Sequence, residues 1–366
     1  MLARDRATVA KRPRLGGGRL TTGQRIMSRF GRSTSLCAAL LLGAACSSGS
    51  ATLVPAGSGI GSPLATVVAP ATATAVGSCA CSTAAPSLRV VAWGDDTYGQ
   101  TDVPAGLTGV VAVAAGDEFS LALESDGTVV GWGANDAGET SVPAGANGIW
   151  GISAGSAFSL ALKRDGTVIG WGDNTNGQAT PPAGLKDVVQ ISAAGSHSLA
   201  LKSDGTVVAW GSNANGEISV PAGLKDVYEV SAGYDFSLAL KSDGTVVAWG
   251  DTNATDQQSG VTKVPAGLAG VKRISAGYYH NLALESDGTV VSWGTNDSGQ
   301  TDVPSGLAGV TAVAAGGNFS LALKFDETLV AWGGNESGQT TLPSGLSGVL
   351  AIDAGGSHAL AIVRYP

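Results

Sequence analysis

Seven Trp-Gly pairs recur along this chain of 366 residues, at Trp93, Trp132, Trp171, Trp210, Trp249, Trp293 and Trp332. Successive pairs stand 39 residues apart, except for one interval of 44 between Trp249 and Trp293. A fixed period of about 40 residues holding several short strands marks a radial array, in which each unit leaves apolar faces that only its neighbours can cover. With 55 Gly and 14 Pro the chain is too turn-rich to be mainly helical, so it reads as all-β.

The unit is clearest in SLALKSDGTVVAWG, residues 237 to 250. Leu238 and Leu240 alternate with Ala239, Ser242-Asp243-Gly244 turns the chain, and Thr245 to Trp249 makes a β-branched return strand. Both strands of this hairpin are apolar at nearly every position, with charge confined to the turn, so the sheet is expected to be covered on both faces. A face of Leu and Trp against a face of Ala and Gly suits blades stacked round an axis. Each Trp can bury roughly 150 to 250 Å². After each Trp-Gly a polar loop such as DNTNGQ (173 to 178) leads to a Pro-containing turn, and then a strand ends in Ala-Gly, as in VYEVSAG (227 to 233). Three strands per unit are clear, and a fourth is expected near the Pro. The array begins midway through one unit, at SLRVVAWG (87 to 94), and stops midway through another, at HALAIVRYP (358 to 366). Two halves make one whole, so the terminal strands are expected to pair and close a seven-bladed β-propeller of about 39 residues per repeat, which removes exposed edges.

The recurring Ala-Gly, two variable residues, His or Phe, then SLALxxDGTVVAWGxNxxGQ resembles the regulator-of-chromosome-condensation repeat over residues 87 to 366. That resemblance implies a seven-bladed propeller. Phrases such as VVAWGDDTYGQTDVP (90 to 104) resemble the secreted propeller-type β-lactamase inhibitors of the same superfamily, which implies inhibition of a β-lactamase or a related cell-wall enzyme. In those inhibitors the variable positions before the SLAL-like strand are aromatic in most blades and contact the enzyme, whereas here two of seven blades carry aromatics there. The exchange activity on a small GTPase known for the eukaryotic namesake does not suit an exported protein.

Export is expected from the chain's beginning. Residues 1 to 46 hold nine Lys or Arg against the single acid Asp5, and an Arg-bearing stretch runs into the apolar Leu36 to Ala45. That run is far short of the roughly 20 residues a spanning helix needs and fits the apolar core of a signal peptide, read from Met1 or from Met27. It ends Gly43-Ala44-Ala45-Cys46, which resembles a bacterial lipoprotein signal and implies lipidation of Cys46 and a place on the outer face of a membrane, with plain secretion as the alternative. Residues 47 to 86 carry no charge and are dominated by small residues and Pro, a composition expected of a disordered tether. Cys79 and Cys81 fall within it, too close for an unstrained mutual disulfide. Of 21 basic and 29 acidic residues, 12 and 28 lie beyond the leader, a net of about −16. Such a surface repels phosphate backbones, so nucleic acid is excluded as a partner.

Because each hairpin returns the chain to its starting end, the loops before SLAL and those after Trp-Gly share one face, and the Asp-Gly turns occupy the other. The first face holds the variation. Its expected protein-contact residues are Asp117, Glu118, Tyr234, Asp235, Tyr278 and Tyr279 from the loops before SLAL, with Tyr98 and Asp251 from the other set. The tyrosines would form an aromatic anchor with the acids as its rim. The five extra residues of the long interval fall within 251 to 265, either as a harmless surface insertion or as a contact loop beside these tyrosines. Trp150, where other units have smaller or polar residues, reads as local packing.

Catalysis is not expected. His197, His280 and His358 occupy the place held elsewhere by Phe119, Phe158, Phe236 and Phe319, so they read as packing elements rather than metal ligands. The recurring Asp126, Asp165, Asp204, Asp243, Asp287 and Asp326 precede the turn Gly, or Glu327 in one blade, which explains them without metal. No nucleophile motif, phosphate loop or paired Cys motif occurs in the propeller, and no cofactor is expected. The sequence therefore points to an exported, monomeric protein-binding module that meets an envelope or extracellular protein. An inhibitor is the alternative. A lyase or hydrolase acting on a wall polymer is the third reading, to be favoured by a carboxyl group of strongly raised pKa in the central funnel.

Overall fold

Alternating Leu and Ala, followed by β-branched returns, produce strands throughout: the computed structural model holds 21 strands and no helix among the described residues, 88–251 and 260–364. These belong to a compact unit, Ser33–Pro366. A separate unit, Met1–Arg32, lies outside the described residues, as do Cys46, the tether with Cys79 and Cys81, and the inserted residues 252–259.

The strands form seven three-stranded antiparallel sheets. Blade I joins β1 (Leu88–Gly94) to β20 (Val349–Ala354) and β21 (His358–Arg364). Blade II is β2 (Val110–Ala115), β3 (Phe119–Glu124) and β4 (Val129–Gly133), and blade III is β5 (Ile149–Ala154), β6 (Phe158–Lys163) and β7 (Val168–Gly172). Blade IV is β8 (Val188–Ala194), β9 (His197–Lys202) and β10 (Val207–Gly211), and blade V is β11 (Val227–Ala232), β12 (Phe236–Lys241) and β13 (Val246–Gly250). Blade VI is β14 (Val271–Ala276), β15 (His280–Glu285) and β16 (Val290–Gly294), and blade VII is β17 (Val310–Ala315), β18 (Phe319–Lys324) and β19 (Leu329–Gly333). The expected closure is present, since β1 pairs with β21 from Leu88↔Arg364 to Gly94↔His358.

The alternation within each middle strand is what packs one blade on the next. Leu121 and Leu123 of blade II meet Ala161 and Trp171 of blade III, Leu160 and Leu162 meet Ala200 and Trp210, and the series runs round to Leu360 and Ile362 against Ala122 and Trp132. Burying one such large apolar side chain contributes about 1.5–3 kcal/mol. Polar bonds lock the same interfaces. The Gln100 carbonyl, on the loop leaving blade I, accepts both Trp132 Nε1 and Ser120 Oγ of blade II at 2.9 Å. Equivalent carbonyls at Glu139, Gln178, Glu217 and Gln300 each take the next blade's Trp and Ser.

The three histidines are packing elements, as their exchange with Phe implies. Each is fully buried, and Nε2 of His197, His280 and His358 lies 2.9 Å from Ser237, Ser320 and Ser120 of the following blade. Each of those hydroxyls already donates to a carbonyl, so it accepts from Nε2–H, which assigns the tautomer. Burial lowers all three pKa values to about 4, leaving the rings neutral. Trp150 is half-buried, with Nε1 donating to the Lys163 carbonyl at 3.1 Å.

The expected fourth strand is absent from every sheet among the described residues. The Pro-containing segment does return beside the third strand, but side chains and close approach hold it in place of a ladder. Ser292 Oγ donates to the Thr301 carbonyl at 2.7 Å, and Gly131 leaves no Cβ where Thr140 passes. Proline has no N–H to give to a ladder. At the opposite end of each hairpin, turn aspartates accept the amide two residues on, as Asp126 does from Thr128 at 2.8 Å. Glu327 takes φ +64° in the place of Gly, and its carboxylate accepts from Arg364 at 2.9 Å.

Candidate functional site

The two loop sets meet on one face, as the hairpin topology requires. In each blade the amide just after Trp-Gly donates to the carbonyl of the second variable residue: Asp95 to Ser357 and Ala134 to Glu118 at 2.9 Å, Asp251 to Asp235 at 3.0 Å and Thr295 to Tyr279 at 2.8 Å. The first variable residues form an inner rim round the end of the central channel. Main-chain bonds stitch that rim across blades, from Ser156 to Gly195, Tyr278 to Gly316, Gly317 to Gly355 and Gly356 to Gly116, at 3.0 to 3.2 Å.

Three of the expected contact residues come together there. The Tyr234 ring lies 5.0 Å from Tyr278 and 5.8 Å from Tyr279, centroid to centroid, each pair tilted by 49°. Tyr278 differs from the expected exposed anchor. It is half-buried and crosses the channel mouth, its hydroxyl donating to the Asp117 carboxylate of blade II. The space comes from the rim positions between them: a Cβ on Gly356 would lie 2.7 Å from the Tyr278 hydroxyl, and one on Gly317 3.4 Å from its ring. Burial raises the Tyr278 pKa, and the Asp117 charge raises it further. Burial likewise raises Asp117, against the bond from Tyr278.

The remaining candidates form the outer rim. Glu118 is exposed, and its pKa is raised by partial burial and by the charges of Asp117, Asp95, Asp136 and Glu139. Asp235 and Asp251 are half-buried beside the tyrosines, with Asp251 at φ +53°. Tyr98 is 47% exposed on the loop after β1 and makes no ring contact with the tyrosine cluster. The tyrosine cluster and the acidic rim are thus on one face, with Tyr98 apart.

Sequence reasoning missed the charged groups at the channel wall. Glu229 on β11 is 2% exposed between blades V and VI, with Oε1 accepting the Ile274 amide at 3.1 Å and Oε2 lying 3.6 Å from Arg273 Nη1. Burial raises its pKa to about 8. Asp353 on β20 accepts the Ala115 amide of blade II at 2.9 Å, and burial raises it to about 6. Of the two, Asp353 lines the central cavity, where a raised carboxyl would favour an enzyme, and Glu229 is buried between blades behind that wall. Each of these carboxyls is, however, tied to the next blade's main chain, in the way that the Ser153, Ser192, Ser231 and Ser275 hydroxyls accept the next blade's amides. Aligning the inner strands would have exposed them, because Glu229 and Arg273 stand where other blades have Ala112, Gly151, Gln190, Ala312 and Ala351. Among the described residues no group of three or more His, Cys, Asp or Glu side chains is arranged to hold a metal ion.

Seven sheets closed into a ring by their terminal strands define an all-β propeller. The Regulator of chromosome condensation (RCC1) repeat matches residues 110–139, 151–178, 188–217, 227–257, 271–300 and 310–339, so the chain belongs to the RCC1-repeat propeller superfamily. The partial units at the two ends supply the seventh blade. The fold is similar to that of yeast RCC1 (Prp20) bound to Kap60, at 18% identity over 77% of this chain and 90% of that one, with a TM-score of 0.65. Prp20p from Saccharomyces cerevisiae, in a structure described with its binding to Gsp1p and histones, gives 18%, 77%, 92% and 0.64, and human WBSCR16 gives 19%, 76%, 99% and 0.61. No curated protein matches the sequence. These structures share the fold, and a fold does not fix a function.

Proposed function

We propose that this chain is an exported, membrane-anchored protein-binding module that meets its partner through the loop face. The observation that carries the reading is the packing of Tyr234, Tyr278 and Tyr279 at the channel mouth beside Asp117, Glu118, Asp235 and Asp251. Rigid aromatics give contact area at low entropic cost, and an acidic rim selects a basic contact segment on the partner. Yeast RCC1 (Prp20) bound to Kap60, and Prp20p with its binding to Gsp1p and histones, are propellers of this fold that engage proteins.

The test is affinity capture from envelope and secreted fractions with the full chain and with a Tyr98→Ala, Tyr234→Ala, Tyr279→Ala variant. A partner held by the native protein and lost by the variant supports the reading, and an identical set on both removes the loop face as the site. Recovery of a β-lactamase, followed by loss of its activity on adding the propeller, would favour the inhibitor reading. The raised carboxyl of Asp353 in the central cavity is what favours an enzyme acting on a wall polymer, and release of soluble fragments from purified wall by the full chain, abolished in Asp353→Asn, would establish it.

A further inference from the structure

The innermost strands enclose a cavity of about 150 Å³ along the ring's axis, running from Arg273 and Gln190 to the underside of Tyr278 at the loop face. Its lining is uneven. Blade VII contributes only apolar residues, Ala312 to Ala315 with Gly316, while the flanking blades contribute Arg273 and Ser275 on β14 and Asp353 on β20. Arg273 donates from Nη1 to the Lys272 carbonyl at 3.2 Å and faces Glu229 with the same nitrogen, which leaves Nη2 and Nε without an acceptor among the described residues. The Ser231 and Ser275 hydroxyls, which also line the cavity, receive a main-chain amide at the oxygen and keep their protons to donate. Asp353 spends one oxygen on Ala115. One wall thus offers donors with a positive charge, and across the alanines stands a carboxylate.

We propose that this cavity binds a small zwitterion of the α-amino-acid class, its carboxylate taken by Arg273 and the seryl hydroxyls and its ammonium by Asp353. Size agrees with charge: a cavity of about 150 Å³ holds a benzene-sized guest of six heavy atoms, and alanine has as many. A guanidinium recognises a carboxylate through paired N–H donors, and both new contacts would be charge-assisted. An ammonium beside Asp353 also relieves the burial that raises its pKa to about 6. This site is separate from the outer loop face, and its test does not depend on a protein partner.

Isothermal titration of the full chain with glycine, L-alanine, acetate and ethylamine, each alone, tests it. Glycine and L-alanine should saturate one site, with acetate and ethylamine weaker by about tenfold or more because each lacks one charge contact. Asp353→Asn keeps an acceptor for the Ala115 amide and should weaken glycine by about tenfold or more while leaving acetate unchanged. Arg273→Gln should weaken both by a similar factor. If Arg273→Gln does not fold, Arg273→Lys, which keeps the charge and loses the paired donors, should still reduce affinity. The proposal is overturned if glycine gives no saturable binding, if acetate binds as tightly as glycine, or if a folded Asp353→Asn protein binds glycine unchanged.

Discussion

The two ends of the ring treat the same repeat differently. At the turn face six hairpins repeat one device, an aspartate accepting the amide two residues on, and even the Glu327 exception keeps the turn's positive φ. At the loop face the equivalent rim positions are Asp117, Ser156, Gly195, Tyr234, Tyr278, Gly317 and Gly356, seven places filled by four residue types. The turn has one physical problem to solve six times, so it converges. The rim is held by main-chain bonds, so its side chains vary and can serve contact, except at Gly195, Gly317 and Gly356, where a Cβ would lie within 2.9 Å of the next blade's main chain.

Both faces hang on ring closure, and breaking it has the largest expected effect. Deleting His358–Arg364 removes the only partner β1 has among the described residues and the middle strand of blade I, and should abolish cooperative thermal unfolding seen by circular dichroism. Trp249→Ala, which empties one blade interface and both faces' common support, should cost about 3–5 kcal/mol in denaturant unfolding.

The dependence on pH separates the ring's interior from its faces. The buried histidines titrate near 4 when folded and near 6.5 when unfolded, so their contribution is intact above pH 6.5 and is lost as pH falls towards 4. Glu229 and Asp353 act oppositely: their folded values of about 8 and about 6 exceed the unfolded ones, so stability falls as pH rises through them. Below pH 6 the unfolded chain takes up three protons against two held by the folded protein, and above pH 6.5 only Glu229 remains to titrate. Melting temperature should therefore peak between pH 6 and 7, and a Glu229→Gln protein should lose the decline on the alkaline side.

Smaller effects sharpen the contrast between the faces. Tyr278→Ala removes a half-buried ring and leaves Asp117 without its hydroxyl partner, so it should cost about 1–3 kcal/mol, more than Tyr234→Ala, although both lie at the channel mouth. Asp204→Ala and Asp243→Ala, on exposed turns, should change the melting temperature least of all and leave partner capture intact.

The fold was legible in the sequence because spacing encodes it. Trp-Gly pairs at an interval of 39 residues with one exception, Leu-Ala alternation and complementary chain ends each correspond to an observed interface, ladder or closure. The fourth strand was misread since a segment can run beside a sheet while its proline prevents a ladder. The location of the variable face was legible from hairpin parity. What Tyr278 does was not, because its space is made by Gly317 and Gly356, which become its neighbours only when the ring curves. The Glu229–Arg273 pair stayed hidden for a simpler reason: five inserted residues shift one blade's register, so the two equivalent positions do not fall 39 apart.

The most direct test of the central claim, that contact belongs to the variable face, is hydrogen exchange of the full chain with and without its captured partner. New protection in the loops around Asp117–Glu118, Tyr234–Asp235 and Tyr278–Tyr279, with the Asp-Gly turns unchanged, is the predicted result. Protection confined to the turns at Asp126, Asp204 and Asp243 would contradict it.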